Sequence, residues 1–90
     1  DKIIIAYEPI WAIGSGNTAL KTDIKEVHTH LKKIINTNYQ FNFDIPILYG
    51  GSVNSKNSSE ICKINNVDGL LIGGASLNSK EFLQIINSSI

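Results

Sequence analysis

Ninety residues, 42% hydrophobic, 18% charged and formally neutral, suit one small globular domain with a modest core. All eight basic residues are lysines, with no basic stripe and no charge block, which argues against a nucleic-acid partner and against a charged tail. No apolar run approaches the roughly 20 residues of a membrane span, the opening Asp1-Lys2-Ile3 lacks a signal peptide's layout, and the lone Cys62 excludes an internal disulfide and fits a reducing compartment.

The chain starts without methionine and enters a strand almost at once, as if cut from a longer polypeptide. The first strand is expected over about 2–7. Its run Ile3-Ile4-Ile5-Ala6 does not alternate and reads as buried on both faces, the habit of a parallel sheet. A helix follows within about 22–36, with Ile24, Val27, Leu31, Ile34 and Ile35 on one stripe and either Thr18 or Thr22 as cap. After a polar-aromatic connector at 39–44 comes a short strand at 45–49, with Pro46 near its start, where a missing donor is tolerable. A helix over about 55–64, a strand over 67–72 and a last helix over 79–87 complete the order. Strand-helix alternation implies βαβ units, a parallel sheet and an α/β class. The whole chain, 1–90, reads as a single domain without a linker.

Ligands of such sheets bind beyond the carboxyl ends of the strands. Three features share that address. Glu8 follows the first strand and is stopped by Pro9; Gly50-Gly51-Ser52 follows the second; Gly73-Gly74 follows the third. Glu8 is either a solvated surface acid or a general base. Its neighbours Tyr7, Ile10, Trp11 and Ile13 are too apolar for an ordinary surface loop, and covering Glu8 with Ile13 would strip water from the carboxylate and strengthen it as a base. Trp11 reads as a packed hinge, and Gly14 and Gly16 let the loop tip move and let amides approach an anion. Each glycine pair alone is explained by a tight turn. Two pairs at strand exits are better explained by amides that must approach an oxyanion, and a helix start behind Gly73-Gly74 would add its positive end. A phosphate monoester fits better than a carboxylate. Neither pair has Rossmann or P-loop spacing. His28 and His30 read as structural or solvated, Cys62 as buried and unreactive, and Asp68 as structural. No metal-ligand spacing is present.

The blocks Ala6-Tyr7-Glu8-Pro9-Ile10-Trp11-Ala12-Ile13-Gly14-Ser15-Gly16, Tyr49-Gly50-Gly51-Ser52-Val53 and Asp68-Gly69-Leu70-Leu71-Ile72-Gly73-Gly74-Ala75-Ser76-Leu77 together resemble the triosephosphate isomerase family, in order and separation, over essentially the whole chain. The resemblance implies the last three βα units of a TIM (β/α)8 barrel, so that 1–90 is a partial domain. It implies Glu8 as the catalytic base that moves a proton between adjacent carbons of a triose phosphate. It implies Pro9 to Ala19, including Trp11, Ser15 and Gly16, as a mobile lid. Gly14, Ser52, Gly73 and Gly74 match amide donors to the substrate phosphate; Ile13 and Leu71 match an apolar clamp over the base; Tyr49 and Ser52 match side chains that latch the closed lid. No cofactor and no metal is implied, no nucleic acid or membrane partner, and the full-length form is expected to be a cytoplasmic homodimer.

Departures from the family pattern fall at Asn17 (usually lysine), Ser15 (usually threonine), Leu20-Lys21 (usually Thr-Pro at the helix start) and Lys32 (usually an arginine paired with the acid matched by Asp68). The helix cap is therefore expected to be weaker by roughly 1 kcal/mol, and the Lys32–Asp68 support looser, because lysine lacks the guanidinium fork. The family's electrophilic lysine and histidine belong to segments that this chain does not contain. Three strands cannot close a barrel and leave two unpaired edges. The chain alone is thus expected to be inactive, and a non-catalytic phosphate-binding or interaction module of the same ancestry is the alternative reading.

Overall fold

Short β-rich runs separated by amphipathic segments fold here into strand β1 (Ile5–Tyr7), helix α1 (Lys21–Asn38), β2 (Ile47–Tyr49), α2 (Ser58–Cys62), β3 (Gly69–Leu70) and α3 (Ser79–Ser88), with a 3₁₀ turn at Gly74–Leu77 before α3. A computed structural model describes residues 3–9, 20–40 and 43–90. The three strands form one parallel sheet in the order β1-β2-β3. Ile5, Ala6 and Tyr7 pair with Ile47, Leu48 and Tyr49, and Leu48 and Tyr49 pair with Gly69 and Leu70. The strand ends are therefore level: Glu8, Gly50 and Leu71 are the first residues past each pairing. The bonds Gly50 N–H to Tyr7 O (2.9 Å) and Leu71 N–H to Tyr49 O (2.9 Å) fasten those ends.

Pleating sends alternate side chains to opposite faces. One face packs under the helices: Ile24 of α1, Tyr49, Val53, Ile61 of α2 and Val67 form the buried cluster, with Tyr7, Ile64, Leu70 and Ile72 against it. Ile85 seats α3, and its neighbour Ser88 exchanges a 2.7 Å hydroxyl bond with the fully buried Ser58. The other face is open. Ile4 is 66% exposed and Leu71 43%, and Ala6 is also exposed. The expectation that β1 is buried on both faces is therefore corrected: among the described residues, helices cover only one face of this sheet.

Helix α1 begins at Leu20 in extended conformation with no side-chain cap, so Thr22 lies inside the helix and does not cap it, and Thr18 falls outside the described residues. The buried row of α1 is Ile24, His28 and Lys32, four residues apart, rather than the wholly apolar stripe expected; Val27, Leu31 and Ile35 flank it half-buried and Ile34 faces outward. Helix α2 is shorter than 55–64, because a turn occupies 55–57. In that turn Asn54 Oδ1 accepts from the N–H groups of Lys56 (2.8 Å) and Asn57 (3.0 Å), an Asx arrangement that competes with helix. Helix α3 is capped by Asn78, whose Oδ1 accepts from Glu81 N–H at 3.1 Å. Cys62 is half-buried rather than buried, with Sγ 3.4 Å from Ser89 Oγ.

Replacing the fully buried Ile24 by alanine leaves a cavity against Tyr49 and Ile61 and is expected to cost about 2–5 kcal/mol. Ile34→Ala, on the exposed flank, is expected to change stability by about 0.5 kcal/mol or less. Urea denaturation of the two variants checks the contrast.

Candidate active site

The level strand ends open onto one cavity of about 560 Å³ lined by Glu8, by Gly50 to Asn54, by Leu71 to Ala75 and by Glu81. Glu8 enters it because strand alternation turns its side chain to the face opposite Tyr7. Its carboxylate lies over Gly50: a Cβ at Gly50 would stand 2.8 Å from Glu8 Cγ and 3.3 Å from Oε1, so the missing side chain makes the room that the acid occupies. Gly51 answers a different need. A Cβ there would overlap the Tyr49 hydroxyl, so the backbone lies directly on the phenol. Past Gly73 the 3₁₀ turn starts, and Ser76 donates to the Gly73 carbonyl through both N–H (2.9 Å) and hydroxyl (2.6 Å). A Cβ at Gly73 or Gly74 would meet no atom within 4 Å, so the cavity stays open above this exit.

Glu8, Gly50, Gly51, Ser52, Leu71, Gly73 and Gly74, which lie on three separate segments of the sequence, are thus brought to one space. Tyr49 is not: it is fully buried on the helix side of the sheet, with only its hydroxyl end reaching Gly51. Pro9 is buried beside the site. Trp11, Ile13, Gly14, Ser15 and Gly16 fall outside the described residues. The cavity residues Asn54 and Glu81 were not singled out from sequence, and neither was Asn57 behind the wall. Asn57 Nδ2 donates to the Ser52 carbonyl (2.9 Å) while its Oδ1 accepts from Asn54 N–H (2.8 Å). The Asn-x-x-Asn spacing of Asn54 and Asn57 after Gly50-Gly51 is the signal that could have found those two; nothing comparable marks Glu81. Among the described residues no group of His, Cys, Asp and Glu is placed to hold a metal ion, and no helix is long and apolar enough to cross a membrane.

Beneath the cavity, at the opposite ends of the strands, Lys32 gathers the sheet. Its ammonium donates to Asp68 (2.7 Å), Asp44 (2.9 Å) and the Ile45 carbonyl (2.9 Å). Asp68 also accepts from Ile47 N–H at 2.8 Å. Burial pulls the Lys32 pKa down, but the bonds to Asp68 and Asp44 outweigh it and hold it above the ordinary 10.5. Burial likewise raises Asp68, and the bonds from Lys32 and Ile47 more than reverse this, leaving it below 3.8. The lysine's three protons meet three acceptors. Above Lys32, His28 is fully buried. Its Nδ1–H donates to the Asn66 carbonyl at 3.0 Å, and Asn66 takes a left-handed φ of 70°. Its ring meets Tyr7 edge-on at 5.8 Å and tilts against Tyr49 at 6.4 Å. Burial is the main force holding the His28 pKa below 6.5, so the ring is neutral at pH 7.

The family model described as triosephosphate isomerase matches residues 1–89. The chain is 50% identical over 88 residues to the triosephosphate isomerase of Lawsonia intracellularis, covering 97% of this chain and 35% of that protein. It is 51% identical over 89 residues to that of Borreliella burgdorferi, again 97% against 35%. It is 46% identical over 91 residues to that of Hahella chejuensis, 100% against 37%. The chain therefore spans little more than a third of the length of the curated relatives it matches.

The ionic groups predict the pH response of stability. His28, held below 6.5 in the fold, takes up a proton more readily when unfolded, so stability declines as the pH falls below about 6.5. Asp68, depressed in the fold, contributes above its ordinary value and loses that contribution as the pH falls through its folded pKa, below 3.8. Lys32, raised in the fold, contributes below 10.5 and loses it as the pH rises through a still higher value. Lys32→Met is expected to cost about 1–2 kcal/mol, discounted for the water that reaches both acids, and to shrink the acid limb below 3.8. Urea titrations from pH 3 to pH 8 read both effects.

Proposed function

The chain belongs to the triosephosphate isomerase family, and we propose that it supplies the last three βα units of a (β/α)8 enzyme that interconverts dihydroxyacetone phosphate and glyceraldehyde 3-phosphate. On this reading residues 1–90 are one partial domain, and the whole enzyme is a cytoplasmic homodimer. The observation that carries it is the meeting of one carboxylate, Glu8, with the Gly50-Gly51-Ser52 and Gly73-Gly74 exits around a single cavity at the carboxyl ends of the strands.

In the proposed reaction the Glu8 carboxylate removes a proton from the carbon next to the substrate carbonyl. The C–H electron pair forms the enediolate double bond and the carbonyl oxygen takes the charge. A proton then passes from the neighbouring hydroxyl oxygen to the former carbonyl oxygen through a group outside this chain. The protonated carboxyl returns its proton to the former carbonyl carbon, and the deprotonated oxygen closes the new carbonyl, completing the isomerisation. Polarisation of the carbonyl falls to residues outside this chain. The amides of Gly73, Gly74 and Ser52, with Gly14 of the lid, hold the phosphate as preorganised dipoles. Leu71, exposed on the cavity that Glu8 also lines, and Ile13 of the lid form the apolar clamp that keeps water from the base. Pro9 begins a lid that runs through Trp11, Ser15 and Gly16, and Ser52 latches it, with Tyr49 contributing only the hydroxyl end that lies at Gly51. Closure over the phosphate opposes its elimination from the enediolate, the side reaction that such an intermediate invites.

In the whole protein, Glu8→Asp draws the carboxylate back from the substrate carbon and is expected to lower kcat by about 10²–10⁴-fold with KM within about threefold. Undiminished turnover overturns the assignment of the base, and phosphate binding without any turnover in the unaltered protein leaves the non-catalytic alternative. Gly50→Ala is expected to lower kcat through the same atom, because the new methyl displaces Glu8 Cγ, at a cost in stability of about 1 kcal/mol or less, since the displaced side chain is free to turn into open space. Steady-state kinetics beside thermal unfolding separates the two effects.

A further inference from the structure

The two glycine exits belong to different βα units, and an anion held by both requires a fixed distance between them. The sheet does not extend far enough to set it. Among the described residues, the ladder between β2 and β3 ends with Leu71 N–H to Tyr49 O. Beyond that bond each exit folds on itself: Ser76 turns back to Gly73, and Asn57 turns back to Ser52. A side chain of α3 reaches from one exit toward the other. Glu81, in the first turn of α3, reaches across to the turn that follows the second strand's exit. Its Oε2 accepts from Ser55 N–H at 3.1 Å and from the Ser55 hydroxyl at 3.3 Å. Its own N–H is held by Asn78 Oδ1 at 3.1 Å. Ser55 lies between Asn54 and Asn57, the pair that fixes the Ser52 carbonyl, so a continuous set of bonds runs from α3 to Ser52.

We propose that Glu81 is a positioning residue that holds the Gly50-Gly51-Ser52 exit against the Gly73-Gly74 exit at the spacing a phosphate group needs. The proposal rests on the reading of this cavity as a phosphate site. Electrostatics makes the placement informative. Glu81 lines the cavity, and a carboxylate on the wall of an anion site opposes the ligand unless its charge is engaged elsewhere. Two donors from Ser55 and the positive end of α3 engage it. Reach, rather than charge, is the property required: aspartate keeps the charge at the helix start but falls short of Ser55, whereas glutamine gives up the charge and keeps an acceptor at the same distance.

The test uses the whole protein and inorganic phosphate as the probe. Phosphate affinity is read from competitive inhibition, KM and kcat from steady-state turnover, and folding from thermal unfolding, for Glu81→Asp, Glu81→Gln and Glu81→Ala. Asp and Ala are expected to weaken phosphate binding and raise KM by about tenfold, the loss of one or two charge-assisted bonds, with kcat within about threefold. Gln is expected to stay within about threefold of the unaltered protein in all three. If the Ala variant does not fold, the Asp–Gln pair decides. Folded Asp and Gln variants with equal phosphate affinity and KM overturn the brace. Unaltered protein that neither turns over triose phosphate nor binds inorganic phosphate overturns instead the reading on which the brace rests.

Discussion

The three-way junction at Lys32 is the constraint on which the rest of this arrangement depends. One buried ammonium from α1 reaches Asp68 at the start of β3, the Ile45 carbonyl before β2, and Asp44. Asp68 in turn accepts the Ile47 N–H, so the starts of two strands and the middle of a helix share four bonds around two side chains. Short strands need such an anchor. With only two or three paired residues each, their ladders hold few bonds, and a register slip of one residue would exchange the buried and open faces. Such a slip would turn Glu8 into the helix layer and bring Tyr7 to the cavity. The junction sits at the amino ends of the strands and the cavity at the carboxyl ends. Ionic strength of support and openness to ligand are thus separated by the length of the sheet. This is the division between a stabilising and a functional end found in parallel α/β sheets.

Much of this was legible in the sequence for reasons that can be traced. Strand exits are marked by residues that end a strand, so Pro9 after Glu8, Gly50-Gly51 and Gly73-Gly74 mark in the sequence the three ends that meet at the cavity. Helices α1 and α3 were legible from their periodic Ile and Leu positions, and α3 matched to within one residue at its end. The strands proved shorter than their apolar runs because pairing, and not hydrophobicity, defines a ladder: Ile3 and Ile4 lie ahead of the first paired residue. What was not legible were residues whose roles arise only from tertiary contact. His28 sits in the buried row of α1 because the Asn66 carbonyl comes to meet it, and Lys32, whose pairing with Asp68 the family resemblance implied, also finds Asp44 and the Ile45 carbonyl there. A polar residue on an otherwise apolar stripe reads as a break in the pattern unless its partner is known. Glu81 was hidden for the same reason, since its partner Ser55 is 26 residues away.

His28 shows how closely the two ends are coupled. Its ring touches Tyr7 and Tyr49, the residues just before Glu8 and Gly50. Tyr7 and Tyr49 also meet each other edge-on at 6.3 Å. The three rings form the layer between the Lys32 junction and the cavity floor. Nε2 of His28 has no hydrogen-bond partner among the described residues, so the layer keeps a buried acceptor unsatisfied, at an expected cost of about 1–3 kcal/mol. Holding the ring neutral limits that cost, because a protonated imidazole in the same place would bring an unpaired charge into the core.

The open face of the sheet completes the argument. Ile4, Ala6, Glu8 and Leu71 share it, and the first three of these follow one another at strand spacing on β1 and its flanks. An apolar surface of this kind, on parallel strands whose outer edges offer unpaired backbone groups, is a surface that parallel sheets normally bury. It is continuous with the cavity, because Glu8 and Leu71 belong to both. The apolar covering that would complete the sheet and the apolar clamp proposed over the base therefore draw on the same strand face. The chain spans about a third of its relatives' length, and the chemistry proposed for Glu8 depends on how fully this face is enclosed.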